Sequence, residues 1–390
     1  MRTYEETHPW IKFQIDLRSA SPDSWMLLGE ACSKCEHIST VPLQPKTAAY
    51  LHQLYLAKGA LATTAIEGNT LTEDEVVKHL EGKLRLPPSK QYLAREIDNI
   101  VAACNRIRDE LQSGSDLKLD AERIKRFNGE VLSKLDVDEG VVPGAVRAYS
   151  VGVARYRGAP AEDCEYLLER LCTWLASPEL SPSDVAPEMR MAHAIIRAIL
   201  AHLYLAWIHP FGDGNGRTAR LVEFFILQIS GVPTPAAHLL SNHYNQTRSE
   251  YYRQLDQASQ SGGEVLPFIK YALRGFVDGL RSQLEVIREQ QWDVTWVNYV
   301  HDRFRSRTSE SEVRRRHLVL DLSELSEPVP LGKLREISPR IAAAYAKKTL
   351  KTLSRDLTAL VEMGLIEQSS EGYRAKVEII LAFLPLRRIP

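Results

Sequence analysis

Two long apolar segments separated by six residues constrain the fold of this chain more than any other feature of its sequence. Residues 188–208 and 215–229 carry aliphatic and aromatic side chains at helical spacing, and the connection between them is rich in glycine. His193, Arg197 and His202 interrupt the first segment, which favours a helix buried in a protein core over a membrane span. The two segments therefore predict a pair of core helices joined by a tight loop.

Helical patterns also dominate the rest of the chain, so the predicted fold is mainly α. Further helices are predicted at residues 46–60, 92–111, 120–135 and 164–174. One stretch differs from this pattern, because residues 141–157 are β-branched and aromatic and are punctuated by glycine and proline. That composition predicts a short β-hairpin.

The C-terminal region has a different order of elements. Helices are predicted at residues 314–325, 329–337 and 347–363, followed by two strands at 365–368 and 373–380. Short helices followed by a β-hairpin predict a winged helix-turn-helix.

The predicted winged helix is basic, although the whole chain has a formal net charge of -1. From Pro330 onward there are eleven Lys and Arg residues against six Asp and Glu residues. Lys347, Lys348, Lys351 and Arg355 lie in the third predicted helix of this region, which fits contacts with DNA phosphates. The alternative is a winged helix that docks a protein or forms a dimer.

Composition excludes several classes of protein. With 44% hydrophobic and 25% charged residues, the chain is neither collagen-like nor mostly disordered. Five cysteines are too few for a disulfide scaffold of this length, and the CxxC pair of Cys32 and Cys35 is interpreted as two ordinary thiols on a helix. The polar N-terminus predicts no signal peptide. We therefore expect a cytoplasmic protein that does not bind membranes.

The loop between the two apolar segments, with the start of the second, reads HPFGDGNGRTAR from His209 to Arg220. Gly212, Gly214 and Gly216 allow backbone N–H groups to approach a ligand closely. Because these glycines lead into an apolar helix, the loop is also a helix N-terminus, which favours anions.

The charged residues of this string add the groups that a phosphate-transfer site needs. Arg217 and Arg220 lie three residues apart on one helix face, and two guanidinium groups beside an anion nest fit a polyphosphate. Asp213 is an oxygen ligand suited to Mg²⁺, and His209 is a base near neutral pH. Together these residues predict a nucleotidyl- or phosphoryl-transfer site.

The string resembles the Fic family signature HxFx(D/E)GNGRxxR and matches it at every defined position. This resemblance implies an α-helical core and an enzyme that transfers AMP from ATP to a protein hydroxyl of Ser, Thr or Tyr, including its own. It implies that Phe211 is a core anchor of the loop. The roles that the resemblance assigns are His209 as general base, Asp213 as Mg²⁺ ligand, Gly214, Asn215 and Gly216 as the phosphate nest, and Arg217 and Arg220 as clamps on the β- and γ-phosphates.

Two other segments are similar to parts of Fic proteins. The predicted hairpin resembles the family's flap, which implies that Val151, Gly152 and Val153 pair with the target chain by β-augmentation. Tyr251 and Tyr252 resemble the segment that packs over adenine. Many relatives have an asparagine seven residues after the second tyrosine, where this chain has Ser259, and this departure leaves the nucleotide preference open.

An N-terminal segment, TTAIEGN, resembles the inhibitory motif (S/T)xxxE(G/N) of Fic proteins, with Thr63, Glu67 and Gly68 in register. The resemblance implies that Glu67 pairs with Arg220 and so occupies the clamp that the γ-phosphate needs. ATP would then bind without the in-line geometry that transfer requires.

Three functions are compatible with these residues. The first is an autoinhibited protein adenylyltransferase that uses ATP and Mg²⁺. The second is a DNA-binding regulator with a secondary Fic activity, and the third is an enzyme that removes AMP from a modified protein, with Glu67 positioning water. Many Fic proteins of this type form homodimers, although no heptad pattern in this sequence indicates one.

Three regions are predicted. Residues 1–112 form an N-terminal helical region with the inhibitory motif, residues 113–288 form the Fic core, and residues 289–390 contain a linker helix, at 291–307, and the winged helix.

Overall fold

The structure is a computed structural model, and it is mainly helical. It divides into two compact units, residues 1–284 and 285–390. The finer division into three regions stays a prediction. The structure describes residues 2–114, 117–153, 156–181 and 187–381, and of Val153, Pro187 and Glu188 it describes the backbone alone.

Helices make up nearly all the regular structure of the first unit. The predicted helices at 46–60, 92–111, 120–135 and 164–174 are all present, with ends that differ by one to five residues. The helices described in this unit are α1 (Thr3–Thr7), α2 (Pro22–Thr40), α3 (Pro45–Ala65), α4 (Glu73–Leu80), α5 (Gln91–Gln112), α6 (Ala121–Val131), α7 (Ala161–Leu175), α8 (Pro187–Ile208), α9 (Asn215–Ile229), α10 (Thr234–Ala237), α11 (Leu239–Gln246), α12 (Arg248–Gln260) and the first part of α13 (Leu266–Arg303).

The two apolar segments form α8 and α9, the centre of the first unit's core. Residues Met189–Ile208 of α8 are long and apolar enough to cross a membrane by length and composition, yet most of that stretch is buried inside the protein. In α9 the buried residues include Arg217, Arg220 and Glu223 as well as the aliphatic side chains. The prediction of two core helices joined by a tight loop is confirmed.

The predicted hairpin at 141–157 is shorter than the sequence indicates. Strands β1 (Gly152–Val153) and β2 (Tyr156–Arg157) pair antiparallel, with Gly152 opposite Arg157. Residues 141–151 form turns instead of a strand, apart from an isolated bridge between Val146 and Phe211. Gly144 has a φ of 81°, a left-handed turn conformation that interrupts an extended strand.

The second unit contains three short helices and a hairpin besides the end of α13. These elements are α14 (Glu310–Ser323), α15 (Pro339–Tyr345), α16 (Leu350–Glu362), β3 (Ile366–Gln368) and β4 (Tyr373–Ala375). The strands pair antiparallel, with Glu367 opposite Arg374. A hydrophobic core surrounds buried Leu318, Ile341 and Leu357, one from each helix.

Two element boundaries in this unit were predicted wrongly. The helix expected at 329–337 is reduced to a 3₁₀ turn at Leu334–Glu336, because Val329 pairs with Tyr373. The next α-helix begins at Pro339, where the Ser338 hydroxyl caps the Ile341 N–H. The strand expected at 373–380 ends at Ala375, and Val377–Leu381 is a 3₁₀ turn. The predicted linker helix at 291–307 corresponds to the end of α13, a continuous helix of 38 residues that stops at Arg303.

Candidate active site

His209 directly follows the last residue of α8, in a backbone conformation that side chains rarely adopt. Its φ is 51°, and its N–H donates to the Leu205 carbonyl at 2.9 Å, which closes the helix end. Its Nδ1 lies 3.4 Å from the Ala206 carbonyl. Because a carbonyl can only accept, Nδ1 carries the proton and Nε2 has a free lone pair.

Burial lowers the pKa of His209 to about 4. The nearby positive charge of Arg147 acts in the same direction, whereas the carboxylates of Glu67 and Asp213 oppose it. The imidazole is therefore neutral at pH 7, as a general base must be.

Arg147 holds the backbone around His209. Its buried guanidinium donates to the carbonyls of His209 at 2.8 Å, Tyr149 at 2.6 Å and Ala159 at 2.5 Å. Tyr149 and Ala159 flank the β1–β2 hairpin, so one side chain joins the base of the hairpin to the end of α8. This residue was not predicted from the sequence, because it is one of three arginines in the stretch 141–157 and nothing in the spacing sets it apart.

The hairpin lies beside His209. Tyr156 in β2 donates its hydroxyl to the Trp207 carbonyl at 2.8 Å. A Cβ at Gly158 would lie 2.8 Å from the Cβ of His209, so glycine is needed for this close approach. Of the predicted flap residues, Val151 is half-buried and Gly152 is exposed, whereas the side chain of Val153 lies outside the described residues.

Asn215 holds the loop between α8 and α9 in shape. Its amide Nδ2 donates to the Phe211 carbonyl at 2.8 Å, and its Oδ1 accepts from the Phe211 N–H at 2.9 Å. Phe211 is buried, which confirms its expected place in the core. Because its side chain is used within the loop, Asn215 can offer a ligand only its backbone N–H.

Asn128 of α6, also missed by the sequence analysis, supports the same loop from the other side. Its Nδ2 donates to the Asp213 carbonyl at 2.9 Å and its Oδ1 accepts from the Gly144 N–H at 2.9 Å. The Asp213 side chain itself is half exposed, and its Oδ1 accepts from the Gly214 N–H at 2.5 Å.

The first turn of α9 is open to an anion. Gly214 is its N-cap, with a φ of 72°, and no side chain caps this helix end. A Cβ at Gly212 would collide with the Tyr149 hydroxyl, and one at Gly216 would collide with the Glu67 carboxylate. The lack of a side chain at Gly212 and Gly216 thus leaves room for the Tyr149 hydroxyl and the Glu67 carboxylate, and phosphate binding at these glycines stays a prediction.

Arg220 is almost completely buried, and its donors are turned to the end of α3. Its Nε donates to the Thr63 hydroxyl at 2.7 Å, and its Nη2 donates to the Thr63 carbonyl at 2.9 Å and to Glu67 Oε1 at 2.5 Å. The side chain of Arg220 is 2% exposed and that of Glu67 is 34% exposed. Two of the three predicted inhibitory residues, Thr63 and Glu67, therefore contact the second arginine of the string directly.

Glu67 reaches Arg220 from a turn that follows α3. Its N–H donates to the Thr64 carbonyl at 3.0 Å, and Gly68, with a φ of 105°, turns the chain away from the helix. Burial by itself would raise the pKa of Glu67, but the charge and hydrogen bond of Arg220 outweigh it and lower the pKa below its ordinary value. Glu67 is therefore ionised at neutral pH.

Arg217 has a carboxylate partner that the sequence analysis did not identify. Its Nη1 donates to Glu96 of α5 at 2.7 Å, and its Nη2 lies 3.5 Å from Asp213 Oδ1. Burial raises the pKa of Glu96, against the opposing effect of Arg217. Glu96 lies 121 residues before Arg217, which explains why no local pattern indicated the pair.

The two tyrosines of the predicted adenine segment lie in different environments. Tyr251 is 3% exposed, and its hydroxyl lies 2.8 Å from Nε2 of His202 in the core. Tyr252 is 39% exposed and is thus the one available to a ligand. Ser259 is buried, and its hydroxyl donates to the Asp256 carbonyl at 2.8 Å, within α12.

A buried polar cluster lies beneath these tyrosines. Glu223 accepts a hydrogen bond from the Tyr244 hydroxyl at 2.9 Å, and the ring of Tyr244 stacks on that of Tyr251 at 4.9 Å. Burial raises the pKa of Glu223 to about 8, so its carboxyl group is protonated at neutral pH. The cluster therefore carries no charge on Glu223 at neutral pH.

Mg²⁺ fits the site through one carboxylate. Within the described ranges, no group of three or more His, Cys, Asp or Glu side chains could hold a metal ion. Asp213 is half exposed, and a single carboxylate beside a phosphate site is how proteins often hold Mg²⁺.

The five cysteines are free, and burial raises the pKa of Cys32 to about 11 and that of Cys35 to about 12, as expected of buried, unreactive thiols.

The fold and the site together define a helical protein with a neutral histidine beside an anion-binding helix N-terminus. Residues 118–227 match the Fic/DOC family, so this part of the chain is a Fic domain.

Curated relatives of this chain are named Fic protein adenylyltransferases. The chain is 31% identical over 215 residues to the protein adenylyltransferase fic-1 of Caenorhabditis briggsae, covering 54% of this chain and 38% of that one. It is 30% identical over 226 residues to the protein adenylyltransferase Fic of Nematostella vectensis, covering 58% and 47%. The match thus spans less than half the length of these relatives.

Solved structures share the fold. A Fic family protein from Desulfovibrio desulfuricans G20 has a TM-score of 0.55 and 22% identity, covering 92% of this chain and 97% of that one. Fic-1 from Caenorhabditis elegans has a TM-score of 0.54 and 24% identity, covering 68% and 73%. At this level of identity the likeness concerns the fold alone.

Proposed function

We propose that this chain is a protein adenylyltransferase that moves AMP from ATP onto a protein hydroxyl and is held inactive by Glu67. The observation that carries the proposal is that a neutral His209, an uncapped helix N-terminus and two buried arginines meet at one loop and the start of the helix that follows it. The names of the curated relatives support the same reaction. Self-modification belongs to the proposal, since any hydroxyl that reaches the loop can react.

In the proposed reaction, the phosphates of ATP lie against the first turn of α9. Backbone N–H groups there and the guanidinium group of Arg217 bind the β- and γ-phosphates. Asp213 would hold Mg²⁺, which supplies charge neutralisation between phosphate oxygens. The adenine packs against half-exposed Tyr252.

His209 then activates the target hydroxyl. Its Nε2 accepts the hydroxyl proton while the oxygen attacks the α-phosphorus. The bond from that phosphorus to the β-phosphate oxygen breaks, and pyrophosphate leaves. The β1–β2 hairpin next to His209 would hold the target chain in extended form, so that its hydroxyl faces the lone pair of Nε2.

The restraint follows from the contacts of Arg220. Two of its donor nitrogens, Nε and Nη2, bond to Thr63 and Glu67, and the Glu67 carboxylate lies against Gly216 in the first turn of α9. A carboxylate in this place competes with a phosphate for the same N–H groups and the same arginine. ATP can then transfer AMP only when Glu67 leaves Arg220.

The position of the label in ATP tests the reaction directly. The Glu67→Gly protein is incubated with Mg²⁺ and ATP labelled at the α- or the γ-phosphate, and protein-bound label is counted. AMP transfer incorporates the α-label alone, and phosphotransfer incorporates the γ-label. The matched control is Glu67→Gly combined with His209→Asn, since asparagine tolerates the left-handed backbone at this position. Labelling from the γ-position, or labelling that survives the loss of His209, contradicts the proposal.

The alternative is that the same site removes AMP from a modified protein. An AMP-modified protein, prepared with the Glu67→Gly variant, is incubated with the wild type. Release that needs Glu67 would favour an enzyme that removes AMP, and a stable modification supports transfer.

A second candidate function concerns the C-terminal unit, for which we propose a winged helix-turn-helix that binds DNA. Asp356 of α16 accepts hydrogen bonds from Arg314, Arg315 and Tyr345, which fixes the inner face of the helix. Lys347 and Lys348 precede α16, and Lys351 and Arg355 lie on its exposed side. No carboxylate in the described part of the chain pairs with any of these four residues. Such unpaired cations fit phosphate contacts.

The test is a mobility shift with duplex DNA at about 50 mM and about 200 mM salt, because phosphate contacts weaken steeply with salt. The double substitution Lys351→Gln and Arg355→Gln should abolish the shift. Arg374→Gln is the control, since Arg374 is already paired with Glu367 and Glu378. A shift that the double variant retains would exclude this surface.

A further inference from the structure

Glu96 of α5 joins two parts of the site that lie far apart in sequence. Its Oε1 accepts from Arg217 Nη1 at 2.7 Å, and its Oε2 accepts from Asn69 Nδ2 at 2.9 Å. The Glu96 side chain is 14% exposed and that of Arg217 is 6% exposed, so the ion pair is largely shielded from water. One carboxylate thus contacts the phosphate site and the segment that follows Glu67.

The two arginines of the site are held in different ways. Arg220 has both Nε and Nη2 bonded to the end of α3. Arg217 is fixed by Glu96 through Nη1, but its Nε is buried without a partner among the described residues, and its Nη2 lies 3.5 Å from Asp213. Arg217 is therefore fixed in position while its Nε and Nη2 groups stay available, which suits an arginine that binds a phosphate.

Asn69 ties the turn of Glu67 to α5. Its Nδ2 donates to the Leu93 carbonyl at 2.9 Å as well as to Glu96, and its Oδ1 accepts from the Leu71 N–H at 3.1 Å. Asn69 is 6% exposed and lies two residues after Glu67. Movement of Glu67 away from Arg220 would strain these bonds.

We propose that Glu96 is a positioning residue with two roles: it holds Arg217 against the phosphates of ATP, and through Asn69 it anchors the turn that places Glu67 on Arg220. The proposal rests on the function proposed above. Loss of the first role would weaken ATP binding, whereas loss of the second would relieve the restraint and raise activity. Substitutions at Glu96 and Asn69 distinguish the two roles. Glu96 serves ATP binding and the restraint, whereas Asn69 serves the restraint alone.

The first experiment measures ATP kinetics in the Glu67→Gly background, where the restraint is absent. Glu96→Gln should raise the KM for ATP about tenfold and leave kcat within about twofold, since a charge-assisted bond that orients Arg217 is lost. Glu110→Gln is the matched control on the same helix, because Glu110 pairs with Arg123 and Arg126 instead. Asn69→Ala should leave both constants unchanged.

The second experiment measures self-labelling in the otherwise wild-type protein. Asn69→Ala should raise the rate about fivefold or more, because it removes the three side-chain hydrogen bonds that anchor the Glu67 turn. Melting temperatures of all variants show whether the fold is kept.

Calorimetric titration of Mg²⁺–ATP into the same variants, each also carrying His209→Asn, reads binding without transfer. A KM for ATP or an affinity that Glu96→Gln leaves unchanged would overturn the role toward Arg217. An unchanged rate in Asn69→Ala would overturn the role toward Glu67. If Glu67→Gly transfers no α-label at all, the proposed function fails, and the calorimetric comparison still decides whether Glu96 positions Arg217.

Discussion

Glu67 Oε1 and Arg220 Nη2 are separated by 2.5 Å, and this contact joins the turn after α3 to the second turn of α9. The two side chains differ in access to solvent, since Arg220 is 2% exposed and Glu67 is 34% exposed. Arg220 is further fixed by Thr63, whereas Glu67 is attached through a short turn. A signal that opens the pair can therefore act on the exposed partner, Glu67.

Replacing Thr63 by valine should activate the protein in part. The substitution removes the hydroxyl that accepts from Arg220 Nε at 2.7 Å and leaves a buried donor unpaired, which costs about 1–3 kcal/mol in the restrained state. We expect self-labelling with α-labelled ATP to rise about tenfold, to a rate between those of the wild type and Glu67→Gly.

The control for Thr63→Val is Thr64→Val. The hydroxyl of Thr64 is also buried but donates to the carbonyls of Ala60 and Leu61 within α3. A similar gain in both variants would show that loosening α3, and not Arg220, sets the rate.

Arg147 should be required for the chemical step. In Glu67→Gly, Arg147→Met leaves three carbonyls around His209 and the hairpin without their shared donor. We expect kcat to fall at least about tenfold, with little change in the KM for ATP, because Arg147 contacts the catalytic base His209 and no residue predicted to bind ATP. Arg147→Lys should restore part of kcat, and a rise in the KM for ATP alone would contradict the account.

The pH dependence of kcat in Glu67→Gly reports the state of His209. Only the neutral imidazole accepts a proton, and burial lowers the pKa of His209 to about 4. At saturating ATP, kcat should stay level from about pH 8 down to about pH 5 and fall as the pH approaches 4. A fall centred near 6.5, the ordinary value for histidine, would mean that the base is exposed.

Glu223 should make the protein less stable as the pH rises. Its folded-state pKa is raised to about 8 from an ordinary 4.5, so the folded chain keeps a proton that the unfolded chain releases between these values. The free energy of unfolding should fall by up to about 1.4 kcal/mol per pH unit across that range. Urea unfolding of the wild type and Glu223→Gln, a neutral mimic, should diverge above about pH 5 in favour of the variant, and parallel curves would contradict the buried acid.

Much of the fold and site could be predicted because the informative residues are close in sequence. The string from His209 to Arg220 carries its chemistry within twelve positions, and apolar spacing predicts α8 and α9 on either side. The Glu67–Arg220 contact spans 153 residues and was expected from a family resemblance, not from the spacing of residues.

The residues that sequence reasoning missed act across long separations or through the backbone. Arg147 donates to carbonyls, which every residue has, so no partner residue marks its role. Asn128 and Glu96 lie 85 and 121 residues before their partners Asp213 and Arg217. The wrong boundaries after Val329 and Ala375 arose where a capping serine and a 3₁₀ turn decided the structure over apolar alternation.

The central claim is that AMP transfer from this site is restrained by Glu67. The most direct measurement is the initial rate of self-labelling with α-labelled ATP and Mg²⁺ for the wild type, Glu67→Gly and Glu67→Gln at equal concentration. Loss of a charge-assisted bond to a buried arginine predicts a rate at least about tenfold above the wild type for Glu67→Gly and an intermediate rate for Glu67→Gln. Equal labelling of all three proteins would contradict the account.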